Sequence, residues 1–112
     1  MNDVIDPFAE FLGRIRLGLR RKQVVLGQDK LMMLAKGDAL ALVWVTEDLS
    51  KQTFGKLRIV CDTYAIPILR RGTSAVVGET TGYPTAKVYL LRKSFSGIRH
   101  LLQTLGNDEN IQ

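Results

Sequence analysis

The sequence predicts an α/β fold: a three-layer α-β-α sandwich with a small, mostly parallel (mixed) four-stranded sheet and helices on both of its faces. Three observations predict it. Helix-length and strand-length segments alternate along the 112 residues in the order α-β-α-β-α-β-α-β-α. Alternation at so short a period implies helices packed on two faces of one sheet. The longest apolar run, ALALVWV at 39–45, is too short for a globular helix and rich in β-formers. It reads as a central strand buried on both faces. No repeat, low-complexity segment or linker breaks the pattern, so 1–105 read as one domain and 106–112, GNDENIQ, as a polar tail.

Each element has a local reason. Asp6-Pro7 starts the first helix, because Asp accepts from an orphan amide and Pro suits the first helical position. Phe8, Phe11, Leu12, Ile15 and Leu19 then fall on one apolar stripe. QVVL at 23–26 is a short strand ending at Gly27, and a helix over about 29–36 follows, capped by Asp29 and stopped by Gly37. TEDLS opens a helix over roughly 50–64, with Asp48 as a candidate cap and Phe54, Leu57, Cys61 and Tyr64 on its buried side. IPIL at 66–69 is the third strand. A short helix starts at Thr73 or Ser74 and ends near Gly82, AKVYLL at 86–91 is the fourth strand, and Ser94 or Ser96 opens a last helix. Its apolar positions are Phe95, Ile98, Leu101, Leu102 and Leu105.

Composition narrows the function. The chain carries a net charge of +5, and its acidic tail leaves the body more basic still. Such a body favours polyanionic partners. A single cysteine, Cys61, excludes an internal disulfide and points to a reducing compartment. No run approaches membrane-spanning length, and the acidic start MNDVIDPFAEF is unlike a secretory signal. The expected location is the cytoplasm.

The residues offer little for catalysis. His100, the only histidine, has no partner base, and Cys61 lies on the apolar side of its helix. Glu47 and Asp48 follow a strand, where α/β proteins place ligands, but neighbours in extended chain point apart. Gly72, Gly78 and Gly82 form no phosphate-binding glycine pattern, and no metal-ligand spacing occurs. The sequence predicts no enzyme, no cofactor and no small-molecule substrate.

Positive charge is placed more tellingly. RIRLGLRRK at 14–22 has five bases and no acid, Arg70-Arg71 follow the third strand, and Arg92-Lys93 follow the fourth. Lys30, Met33 and Lys36 recur at a spacing of three, sharing one helix side. That face suits phosphates at its ends and a base or ribose across the methionine.

Taken in order, these features resemble the RNA-binding ribosomal-protein superfamily of the L-seven-Ae and L-thirty-e type, closest to its bacterial YlxQ-like branch. The resemblance runs from about Ile15 to Leu105. It rests on IRLGLRRKQVVLG, the ungapped stretch from Gly27 to Asp48 ending VWVTEDLS, IVCDTYAIPIL, and VVGETTG with Gly78 and Gly82. Kink-turn-binding members read Gly-x-Asn-Glu-x-x-Lys where this chain has Asp29, Lys30 and Met33. Asp lacks the amide donor, Lys cannot accept, and Met carries no charge.

The resemblance thus implies a module for structured RNA, ribosomal or other non-coding, in translation, ribosome assembly or RNA maturation. It would bind through phosphates without strict kink-turn specificity. The implied rim comprises Gly27, Gln28, Asp29 and Lys30, with Met33 and Lys36 behind them. Thr46, Glu47 and Asp48 follow the central strand, and Arg70, Arg71, Gly72, Thr73 and Ser74 precede the fourth helix. Helix N-termini at that end would offer amide donors. The alternative reading is a protein–protein adaptor that uses the same fold without RNA; membrane partners are not expected.

Overall fold

The computed structural model describes residues 7–95, 97–99 and 103. Asp6, Ser96, His100, Leu101, Leu102, Leu105 and the tail at 106–112 lie outside the described residues. The elements are α1 (Pro7–Arg20), β1 (Val24–Leu26), α2 (Leu31–Lys36), β2 (Leu40–Val45), α3 (Lys51–Thr63), β3 (Ile68–Arg70), α4 (Ser74–Thr81) and β4 (Val88–Arg92). Ile98, Arg99 and Gln103 are also helical.

The helices stand near their predicted places, with informative shifts. α2 begins after a turn in which the Leu31 amide donates to the Gln28 carbonyl at 3.0 Å. That backbone bond replaces the expected Asp29 cap; the N-cap is Lys30, with no side-chain bond. α3 is capped by Ser50, whose hydroxyl accepts from the Thr53 amide at 3.1 Å. Tyr64, expected on the buried side of α3, is its exposed C-cap.

The three layers are as expected. On one face of the sheet, α1 and α4 bury Phe11, Leu12, Ile15 and Val77 against Leu42, Trp44, Tyr89 and Leu91. On the other, α2 and α3 bury Leu31, Leu34, Leu57 and Cys61 against Val43, Val45, Ile68 and Leu90. Alternate residues of β2 and β4 thus serve opposite cores, as the two-residue period of a strand requires. β2 has apolar residues at every position for that reason.

The sheet is mixed, in the order β1-β4-β2-β3. The expectation that it is mostly parallel is corrected. Only β2 and β3 pair in parallel; β4 lies antiparallel to both β1 and β2. The cause lies in the connection after α4. Gly82, with φ of 88°, reverses the chain in the left-handed region that glycine tolerates. The returning segment then packs over Gly78, where an added Cβ would meet backbone atoms of Pro84. So the chain re-enters the sheet at the end where β1, β2 and β3 finish, and β4 must run against them.

Candidate functional site

β1 and β2 each oppose β4, and β3 follows β2, so three strands end along one edge. Backbone bonds knit the turns there into a row. The Gly27 amide donates to the Val88 carbonyl at 2.9 Å and the Thr46 amide to Lys87 at 3.0 Å. The Arg71 amide donates to Val45 at 3.0 Å, and the Glu47 amide to Gly72 at 2.7 Å. The rim therefore reads Gly27, Lys87–Val88, Thr46–Glu47, Arg70–Gly72 across the sheet. This ordering brings together the turns that the sequence placed at one end.

The carboxylates organise this edge. Glu47 Oε2 accepts from the Gly72 amide at 2.8 Å, while the Glu47 carbonyl accepts from Arg70 Nη2 at 3.0 Å. Asp48 caps a helix, though not the following one. Its two oxygens take the Ser74 amide at 2.9 Å and the Ser74 hydroxyl at 2.5 Å, at the start of α4. The Ser74 hydroxyl, first, and its amide hold the Asp48 carboxyl well below the usual carboxylate range. Thr46 also favours the charged form, although its buried hydroxyl makes no hydrogen bond of good geometry. A carboxylate held so firmly ionised cannot shuttle protons near neutral pH.

These contacts change what the predicted residues can offer. Ser74 is 8% exposed with its hydroxyl and amide both on Asp48, and Thr46 is wholly buried. The Thr73 hydroxyl accepts from the Val76 amide. The α3 and α4 starts are thus closed by the chain's own side chains, contrary to the expectation of free amide donors. What faces outward instead is side-chain charge.

Arg70 and Arg71 splay, because successive residues of extended chain face opposite ways. Arg70 lies over the Phe54 ring, 5.5 Å from its centroid, on the α3 side. Arg71 lies over Phe8 at 4.9 Å, on the α1 side. Both residues are half-buried. Beneath them, Trp44 Nε1 donates to the Arg71 carbonyl at 2.9 Å, anchoring the turn to the core.

Gln28, Asp29, Lys30 and Met33 are exposed, Met33 by 61%. Lys36 is exposed too but does not reach the rim. It ends α2 beside Gly37 and Asp38, which lead into the start of β2 at the opposite end of the sheet. Between α2 and α3 runs a shallow groove lined by Gln28, Asp29, Met32, Lys56 and Val60. Two contributors escaped sequence reasoning. Lys87 is exposed between Gly27 and Thr46, a position invisible until β4 is known to start at this edge. Lys56 faces the groove from α3, and only the helix packing reveals that.

Among the described residues, no cluster of His, Cys, Asp or Glu could hold a metal ion. Nor is any helix among them long and apolar enough to cross a membrane.

No family model and no curated protein matches this chain. Solved structures do. A Bacillus halodurans protein of unknown function superposes with a TM-score of 0.74 at 22% identity, covering 85% of this chain and 98% of its own. A Giardia lamblia 15.5kD RNA binding protein superposes with a TM-score of 0.68 at 13% identity, covering 93% and 88%. At such identities the likeness is one of fold.

Proposed function

We propose that this protein is a cytoplasmic RNA-binding module, without catalytic activity, that docks the sheet's strand-end rim onto structured RNA. Its proposed setting is translation, ribosome assembly or RNA maturation, and its proposed place is the YlxQ-like branch of the L-seven-Ae type superfamily. The observation that carries the reading is the convergence of Lys30, Lys87, Arg70 and Arg71 on one edge. The fold shared with a Giardia RNA binding protein supports it.

Phosphate contact dominates in this reading. Asp29, Glu47 and Asp48 leave the rim only weakly positive, but two of these carboxylates spend hydrogen bonds on the Gly72 and Ser74 amides. They set the path of the arginine-bearing turn, which makes them positioning residues. Lys30 and Lys87 are flexible point charges, and the arginines, braced on Phe54 and Phe8, are directional donors. Met33 offers apolar contact to a sugar or base. Such a set binds the backbone more than it reads sequence.

Fluorescence anisotropy with labelled structured RNA across a salt series tests this. Four neutralised phosphates give a log–log slope of about −3 to −4. Lys30→Glu with Lys87→Glu, both on exposed positions, leaves the fold intact and weakens binding at least tenfold with a shallower slope. Unchanged binding by that variant refutes the rim. If RNA binds only weakly and without saturation, and a protein co-purifies after nuclease treatment, the adaptor reading gains. The exposed Met32 and Met33 beside the α2–α3 groove would then be its surface.

A further inference from the structure

We infer that the end of the sheet opposite the rim is a second polyanion-binding surface, so that one molecule bridges two RNA segments. The inference rests on RNA being the ligand of the rim. It begins with the course of α1. The helix starts at the rim, where Phe8 lies under Arg71 and beside Gly72. It ends at the opposite edge, where Gly18 packs against Val24, the first residue of β1, and Phe95. The basic stretch 14–22 therefore leads away from the rim.

At that far end positive charge is in excess. Arg16, Arg20, Arg21 and Lys22 are all exposed. The Arg92 amide donates to the Gln23 carbonyl at 2.9 Å, bringing the end of β4 alongside. Among the described residues, the acids there are paired: Lys93 Nζ binds Asp38 at 2.8 Å, and Asp62, in the last turn of α3, lies 3.9 Å from Arg58 Nε. Gly13, Arg16, Leu17 and Arg20 line a shallow depression on the outer face of α1. Their spacing sets the two guanidinium stems one helical turn apart on the same side.

A helix C-terminus does attract one or two basic side chains through its dipole. That accounts for Arg20, but not for Arg16 a turn earlier or for Arg21 and Lys22 beyond the helix end. Lys22 is the pointed case. Its φ is 59°, a left-handed position after a helix where glycine or asparagine is favoured. A lysine there keeps a cation at the tip at the expense of backbone comfort.

The two ends also act independently. Lys87 and Lys93 flank β4, and the intervening extended chain spans roughly 20 Å. That exceeds the screening length of about 8 Å at physiological salt. Rim and far end are thus separate electrostatic surfaces on opposite sides of one body, and each can take its own phosphate backbone.

The test uses the full chain with two short RNA duplexes, one carrying a donor dye and one an acceptor. Wild type is expected to bring them together, with energy transfer that rises and then falls as protein passes into excess. Arg20→Glu/Arg21→Glu/Lys22→Glu is expected to bind a single duplex without transfer, with a salt slope shallower by about 3 than the summed wild-type value. The glutamine triple at the same positions guards against a folding defect, with an unchanged melting temperature as the criterion. Lys30→Glu/Lys87→Glu is likewise expected to bind one duplex without transfer. Transfer that persists in both far-end triples overturns the inference. An absence of transfer in wild type, with rim-dependent binding of one duplex, overturns it while leaving the RNA-binding rim in place. Loss of all binding in the far-end triples, with the rim variant unaffected, overturns both the bridge and the rim.

Discussion

Replacing Asp48 by alanine tests how the rim is held together. The carboxylate satisfies the Ser74 amide and hydroxyl at the start of α4, with Ser74 almost buried. Losing a helix-terminal side-chain acceptor costs about 1 kcal/mol. The hydroxyl bond to a charged acceptor is worth about 1.5–3 kcal/mol where dry. Because Asp48 itself is exposed to water, screening reduces that second contribution to about 1 kcal/mol. The expected loss is therefore about 2 kcal/mol, or a melting temperature lower by about 8 °C for a domain of this size.

The pH dependence has a definite sign. The folded-state pKa of Asp48 lies below its unfolded value. Its stabilisation is thus complete above the unfolded carboxylate value of about 3.9 and drains away as pH falls from there through the folded pKa. Urea unfolding of wild type and Asp48→Ala should differ by a constant amount from pH 7 to about pH 5, and the gap should narrow progressively below about pH 4. Asp48→Asn, which can still accept from the Ser74 amide, should lose about half as much. A wild-type advantage under about 0.5 kcal/mol at pH 7, within the range of ordinary surface changes, would refute the reasoning. So would an advantage that persists undiminished to pH 2.

Two further outcomes follow from packing. An alanine Cβ at Gly78 would clash with the Pro84 backbone, and overpacking of about 3 kcal/mol less about 1 kcal/mol of helix propensity leaves Gly78→Ala about 2 kcal/mol less stable by thermal unfolding. Burial, with Asp62 nearby, pushes the Cys61 thiol up to about 11. Mass-spectrometric alkylation at pH 8 should therefore modify it slowly in the native protein and rapidly once denatured; fast native labelling would place Cys61 outside the core.

Much of the architecture could be read from residue patterns because it is local. The apolar stripe of α1, the all-apolar β2 and the glycine after α4 each announce an element through neighbours a few positions away. The grouping of Gly27, Thr46 and Arg70–Arg71 at one edge was legible for a related reason. Turns after strands that run the same way must gather at the same end. The partners of the polar groups were another matter. Asp48 looks like the cap of the helix it precedes, yet Ser50 takes that place and Asp48 reaches Ser74, 26 positions on.

By itself, then, the sequence determined the layers, the two cores and the excess of positive charge, since each follows from periodicity and composition. Tertiary structure alone decided the direction of β4, and with it the positions of Lys87 at the rim and of Arg92 and Lys93 at the far end. A turn's handedness at Gly82 and the clearance over Gly78 are short-range facts with long-range results. They set which end of the sheet each charge occupies. Coulomb forces screened within about 8 Å depend on that placement rather than on the number of charges in the chain.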